Sequence, residues 1–231
     1  MTHIVHPFAH RLGIIRDWKS RWFGAKEEYK KFLKGDIMIR EYLDKRLRGS
    51  YVAGIEIERN EKTFRIVIKT ARPGMVIGRS GEGSVKLRND ILKHALRFKL
   101  DIPKDFKLDV EEVRSPESNA EIVGEMVAEG LEKRLPFRMI LKKTVETVMA
   151  NRDVKGARIA ISGRLGGAEM ARYEQIRRGG IPLQTFRADI DYAKKTARLP
   201  YGAIGIKVWI YKGQIFADSK KKSLASQGVN A

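Results

Sequence analysis

The tetrapeptide Gly78-Arg79-Ser80-Gly81 constrains this chain more than any other stretch. It follows the apolar run Met75-Val76-Ile77 and precedes residues 84–98, a stretch predicted to be a helix with Val85, Leu92, Ala95 and Leu96 turned inward. Glycine at both ends removes two Cβ atoms, so a foreign backbone can approach to van der Waals contact. The amides that open the following helix add partial positive charge. Arg79 supplies a phosphate partner and Ser80 a small hydrogen-bonding group. Such a turn suits a nucleic-acid backbone.

The flanks give the loop a frame. Residues 36–47 carry Ile37, Ile39, Tyr42, Leu43 and Leu47 near helical spacing, with Asp36 as the expected N-cap and Gly49-Ser50 as the stop. Val52 to Arg59 alternates, Ile55 and Ile57 against Glu56 and Glu58, and so reads as a half-buried strand. Phe64, Ile66 and Ile68 repeat the alternation after the turn Asn60-Glu61-Lys62. A third strand is expected over 107–113, with Leu108 and Val110 inward. The order is helix, strand, strand, glycine loop, helix, strand.

Ser115-Pro116 marks a boundary. Beyond it, Ala120, Val123, Val127 and Leu131 fall at helical steps opposite Glu117, Glu121, Glu125 and Glu129. Pro136 can only begin the next helix, which runs to about Ala150. Strands are expected over 157–162, 169–177, 185–192 and 204–211. In the last, Ile204, Ile206, Val208 and Ile210 alternate against Lys207, Trp209 and Tyr211. The fold class is therefore α+β. An arm spans 1–35, a three-stranded sheet packed by helices spans 36–114, and a second α+β domain spans 115–213. That second domain has two helices and a mostly antiparallel sheet. A polar tail, 214–231, is expected to lack fixed structure.

Charge narrows the partner. The 231 residues carry a formal net charge of +19, with 42% hydrophobic residues, so the chain folds and yet repels itself unless a polyanion neutralises it. The excess is +6 over 1–50, +4 over 51–114, −1 over 115–153, +8 over 154–213 and +2 over 214–231. Basic charge spread this widely suits a protein embedded in RNA on several sides. A membrane partner fares poorly, because no apolar run reaches about 18 residues. The start of the chain has no apolar signal region, and cysteine is absent, which fits a cytoplasmic protein without disulfides or a thiol nucleophile.

Residues 1–24 interleave Arg11, Arg16, Lys19 and Arg21 with Trp18, Trp22 and Phe23. Two readings stand. The segment orders on RNA, cations on phosphates and indoles on bases, or the tryptophans form a satellite core. In the second domain, Arg164-Leu165-Gly166-Gly167-Ala168-Glu169-Met170-Ala171-Arg172 sets two arginines about a glycine pair, followed by Arg177-Arg178-Gly179-Gly180. Read blandly these are two turns with solvated charges. Four arginines against Glu169 and Glu174 favour RNA contact, with guanidinium forks on phosphates. His3, His6 and His10 have a fortuitous metal spacing but no carboxylate or thiolate in a packed motif, and His6 is assigned to the RNA-binding arm. Asp189 and Asp191 alternate on one strand, and pairing with Arg187 or Lys194 is expected over catalysis or Mg²⁺. No catalytic triad, Walker loop or dinucleotide fingerprint is present, so no enzyme activity, cofactor or small-molecule substrate is expected.

The first domain resembles a KH domain of the type II arrangement, in which such a loop clamps about four nucleotides. The likeness then runs along the chain to about residue 213. The stretches Thr70-Ala71-Arg72-Pro73-Gly74-Met75-Val76-Ile77-Gly78, Ser162-Gly163-Arg164-Leu165-Gly166-Gly167-Ala168-Glu169 and Arg187-Ala188-Asp189-Ile190-Asp191-Tyr192 resemble the bacterial-type ribosomal small-subunit S-three family. So do His6-Pro7 with Arg11-Leu12-Gly13-Ile14, and the run from Gly202 to Ile210. The resemblance implies a place in the small-subunit head, contact with small-subunit rRNA and with the head proteins numbered ten and fourteen, and a position lining the channel through which mRNA enters. It also implies that basic residues on the second helix of the C-terminal domain face mRNA and help open its structure. Here these are Arg138, Lys142 and Lys143. Arg138 and Lys142 stand about 40° apart on the helical wheel, opposite Phe137, Ile140, Leu141, Val145 and Val148. Where the family often has a second arginine this chain has Met139, one charge fewer in the channel. Arg72, Lys194 and Lys195 complete the expected rRNA-binding set. Two other classes would fit a chain of this composition: a free-standing KH regulator of single-stranded RNA, and a nucleic-acid-processing enzyme, for which no nucleophile or base can be named.

Overall fold

A computed structural model describes residues 5–60, 62–98, 103 and 105–216. His3 and most of the polar tail, 217–231, lie outside the described residues. In chain order the elements are α1 (Pro7–His10), β1 (Ser20–Arg21), α2 (Lys26–Arg46), β2 (Val52–Arg59), β3 (Thr63–Thr70), α3 (Pro73–Ile77), α4 (Glu82–Arg97) and β4 (Asp105–Glu112). They continue with α5 (Ala120–Glu132), α6 (Phe137–Ala150), β5 (Gly156–Gly163), β6 (Arg172–Gly179), β7 (Ala188–Leu199) and β8 (Gly202–Gln214). The chain divides into two compact units, one of Trp18–Pro116 and one of Met1–Asp17 with Glu117–Ala231. The stretch 1–35, expected to be one arm, is thus shared between them.

In the unit 18–116 the sheet order is β1-β2-β3-β4. The strands β2 and β3 are antiparallel, while β1 joins β2 and β4 joins β3 in parallel. The alternation read from the sequence holds: Ile55, Ile57, Phe64, Ile66 and Ile68 are buried, and Phe106 joins them from β4. Each such side chain contributes about 1.5–3 kcal/mol by leaving water. The helix α2 begins at Lys26, ten residues before the expected N-cap. Asp36 is buried inside it, and Ile39, Leu43 and Leu47 supply the inward stripe. The face of α4 also differs from expectation. Leu87, Ile91 and Ala95 are buried at i, i+4 and i+8, whereas Val85 and Leu96 are 58% and 77% exposed. The helix carries two adjacent apolar stripes, and spacing alone does not say which one meets the sheet.

In the other unit the sheet is antiparallel throughout, in the order β6-β5-β8-β7. One face is covered by α5 and α6. Ala120, Val123, Val127 and Leu131 pack with Ile140, Leu141, Val145 and Val148 onto Ile159, Ile161, Ile204, Ile206, Val208 and Ile210. The strand β7 extends seven residues beyond the expected end at Tyr192, because pairing with β8 continues to Leu199 opposite Gly202 and buries Ala193 and Ala197. Tertiary pairing here overrides the weak strand preference of alanine and lysine. The second face has a smaller cluster of Ala160, Ala188, Ile190 and Trp209, with Ile181, Leu183, Tyr192 and Tyr211 against it. Trp209, on the side of β8 away from the isoleucines, is buried there.

Candidate nucleic-acid interface

The glycine loop is a stiff turn set between two helices. The short helix α3 ends at Gly78 (φ 71°, ψ −175°), and a single tight turn, Arg79–Gly81, leads into α4. Ser80 sits at φ 51° and ψ 23°, and Gly81 at φ 80°. These are left-handed or mirror-extended values that glycine adopts without cost. Within α4 the Ser84 hydroxyl donates to the Gly81 carbonyl at 2.7 Å. Gly78, Arg79 and Ser80 are exposed and Gly81 is half-buried. Arg79 has no carboxylate partner among the described residues. The Arg79 and Ser80 side chains are therefore open at the start of α4, whose first amide, that of Glu82, donates to the Arg79 carbonyl. Sequence reasoning missed Gly83. A Cβ there would meet the carbonyl oxygens of Val76 and Ile77 at 2.7 and 2.8 Å, so its missing side chain is what lets α3 and α4 close on the loop. The signal was a third glycine inside the helix start. Nearby, the Arg72 guanidinium lies 4.3 Å over the Tyr51 ring and remains exposed.

The N-terminal residues are engaged largely within the protein. Arg11 is fully buried, and its guanidinium donates to the carbonyls of Ala188 (2.6 Å), Leu183 (2.9 Å), Thr185 (3.0 Å) and Pro7 (3.0 Å). Burial lowers its pKa from the ordinary arginine value, Asp189 acting in the opposite sense. With its donors committed to protein carbonyls, Arg11 is an anchor and cannot also grip RNA. Arg16 binds Asp189 at 2.6 Å, so that carboxylate's partner is neither Arg187 nor Lys194. Asp191 accepts from the Ala120 amide at the start of α5. His6 meets the Tyr192 ring edge-on and His10 stacks on Phe186. The tryptophans divide. Trp22 is half-buried against Tyr29 and Phe32 and donates to Asp36 at 2.8 Å, which is the satellite-core reading. Trp18 is 58% exposed.

In the C-terminal domain, Arg138, Lys142 and Lys143 are exposed on α6. Arg138 is 3.7 Å from Glu174 of β6 and keeps 78% of its side-chain surface open. Met139 is exposed beside it. Arg178 reaches Glu146 of α6 at 3.2 Å, and Lys195 reaches Glu121 of α5 at 3.0 Å. Arg177 and Lys194 lie on the opposite face of the sheet and have no such partner among the described residues. Gly166 and Gly167 form a turn held by the buried Leu165, and Arg164 clamps it by donating to the carbonyls of Ala168 (2.9 Å) and Tyr201 (3.1 Å). Arg172 is exposed at the start of β6. At Gly179 a Cβ would lie 2.3 Å from the Lys155 carbonyl oxygen. It serves the strand ends.

The helix, two strands, tight glycine turn, helix and parallel third strand of residues 26–112 are the element order of a type II KH domain, and a family model described as "KH domain" matches residues 38–118. A second, "Ribosomal protein S3, C-terminal domain", matches 127–210. Proteins named small ribosomal subunit protein uS3 are similar over nearly the whole chain. That of Parvibaculum lavamentivorans is 47% identical over 93% of this chain and 88% of its own. Those of Coxiella burnetii and Caldicellulosiruptor bescii are each 44% identical. They cover 94% and 98% of this chain, and 92% and 98% of their own. The chain belongs to the uS3 family. Members of this family are structural ribosomal proteins and not enzymes. As a uS3-family member it is an RNA-binding ribosomal protein. No helix among the described residues is long and apolar enough to cross a membrane.

Proposed function

We propose that the chain holds small-subunit rRNA in the subunit head, lines the channel through which mRNA enters, and helps open mRNA structure there. The observation that carries this reading is membership of the uS3 family across both folded units, joined to a KH loop whose Arg79 and Ser80 side chains stand open to a phosphate backbone. Gly78, Arg79, Ser80 and Gly81 are the KH grip. Arg138, Lys142 and Lys143 are the mRNA-facing cations, with the translocating ribosome as the motor. Among the rRNA contacts, His6, Trp18 and Arg72 serve the N-terminal half. The Gly166-Gly167 turn, Arg172, Arg177 and Lys194 serve the C-terminal half. Arg16, Trp22, Arg164, Arg178 and Lys195, already engaged within the protein, contribute less. The neighbouring head proteins are those numbered ten and fourteen, and the location is the ribosome in the cytoplasm.

Sedimentation of lysate at low and high salt tests the address. Stoichiometric comigration with the small subunit is expected, and a mostly free pool would favour the free-standing regulator. Arg138→Ala with Lys142→Ala tests the channel role. Assembly is retained and translation slows at stable mRNA hairpins; unchanged pausing there removes the unwinding role.

A further inference from the structure

The outward face of the C-terminal sheet sets like charges against each other. In the register of β7 with β8, Lys194 lies directly opposite Lys207, and in β5 with β6, Arg158 lies directly opposite Arg177. Ala160 sits between Lys207 and Gln175, so the two pairs occupy adjacent rows of one face. Arg198, two steps along β7 on the same side, adds a fifth cation. Like charges directly opposite weaken a sheet. Here nothing on the face relieves them: the outward positions within 173–177, 158–162, 203–211 and 190–198 hold no aspartate or glutamate. The carboxylates of this unit sit elsewhere. Glu174, Glu146 and Glu121 pair on the helix side with Arg138, Arg178 and Lys195, and Asp191 caps α5.

The half of this face nearest Trp209 is roofed by its small apolar cluster, and Arg158 is held there, 4.7 Å over the Trp209 ring and donating to the Tyr173 hydroxyl at 3.1 Å. The other half is open. Lys194, Lys207 and Arg198 are exposed there, with the short side chains of Ser162, Thr196 and Ala203 and the glycine Gly205 as the floor, and the exposed Arg177 stands one row away at the sheet edge. Lysine is depleted at the centres of protein–protein interfaces, whereas nucleic-acid interfaces are strongly positive. A flat floor edged by long cations lets a phosphodiester chain lie down, and hydroxyls at Ser162 and Thr196 stand within its reach. We propose that this open half-face is a phosphate-binding surface for RNA of the small subunit, and that the like-charged pairs are relieved only when that RNA is bound. The inference rests on the ribosomal reading above.

The test uses opposite signs. In the free full chain, Lys194→Glu places a carboxylate opposite Lys207 and raises the urea midpoint of the C-terminal unit. In cells, the same tagged variant is stripped from small subunits at lower salt than wild type. The log–log salt slope of its retention falls by about 0.7–0.9 per phosphate contact removed. Lys30→Glu, an equal charge change at an exposed site on α2, leaves retention unchanged. Independently of any variant, acetylation of wild-type Lys194 and Lys207 drops in purified subunits relative to the free chain, and ultraviolet irradiation leaves ribonucleotide adducts on β7 and β8 peptides. Full reactivity of both lysines in subunits overturns the proposal. Protection with cross-links to protein alone also overturns it, assigning the face to a protein neighbour. If the wild-type chain itself fails to comigrate with the subunit, the ribosomal reading falls first.

Discussion

Gly83→Ala separates what local preference dictates from what the loop geometry demands. Alanine exceeds glycine by about 0.8–1.0 kcal/mol in a helix interior, so preference alone makes this substitution stabilising. In the structure the new Cβ would stand 2.7 Å from the Val76 carbonyl oxygen and 2.8 Å from that of Ile77. Both are backbone atoms that cannot swing aside, so α3 and α4 must part by several tenths of an ångström. Overpacking of this kind costs about 1–3 kcal/mol. The net expectation is a loss of up to about 2 kcal/mol, confined to the KH unit, together with weaker binding of short single-stranded RNA by a loosened loop. Gly74→Ala is the matched control. It lies in α3 with nothing within 4 Å of the added Cβ, so it should be neutral or stabilising by less than about 1 kcal/mol. Native-state hydrogen exchange read by mass spectrometry resolves the units separately, with peptides from β5 and β8 as internal reference. Unchanged or greater protection in peptides spanning 73–97 of Gly83→Ala would show that the close approach is not what glycine serves here.

Arg11→Lys and Arg11→Ala should each destabilise the C-terminal unit by about 3 kcal/mol or more, since several carbonyls lose a charged donor together. Exchange should rise first in residues 7–16 and 182–190, and protection equal to wild type in either variant would refute the anchor role. Trp22→Phe keeps the ring against Tyr29 and Phe32 but removes the donor to the buried Asp36 carboxylate. A cost of about 1–3 kcal/mol in urea unfolding of the KH unit is expected, with Trp22→Phe/Asp36→Leu recovering much of it. Arg178→Gln breaks a half-exposed pair with Glu146, so its stability cost stays below about 1 kcal/mol. Its salt-resistant retention on subunits should match wild type, whereas Arg177→Gln should lower that retention.

The strands β2 and β3 were legible because Ile55, Ile57, Phe64, Ile66 and Ile68 alternate cleanly over rigid β-branched and aromatic positions. The glycine turn was legible because its demands are local. Other features depended on partners far along the chain. Nothing in the neighbourhood of Arg11 distinguishes it from Arg16 or Arg21, yet most of its partners are carbonyls about 170 residues away, in an irregular segment. Nor could spacing choose between the two apolar stripes of α4, since Leu92 flanks both. The extension of β7 past Tyr192 was hidden in Ala193, Lys194, Lys195, Thr196 and Ala197, a stretch with little intrinsic strand preference that pairing with β8 holds extended.

The charge total says less about binding than the parity of each strand does. Arg177 and Arg178 are neighbours in sequence, and so are Lys194 and Lys195. In the sheet each pair is split: Arg178 and Lys195 turn toward the helices and find Glu146 and Glu121, while Arg177 and Lys194 turn to a face without a carboxylate. Side chains alternate with a period of two, so a one-residue slip of β6 or β7 would exchange every member of these pairs. It would also carry Ile176 or Ala193 out of the core. The burial that fixes the register therefore fixes which cations are neutralised and which are left for an outside anion. In this domain hydrophobic packing selects the basic surface as surely as it selects the core.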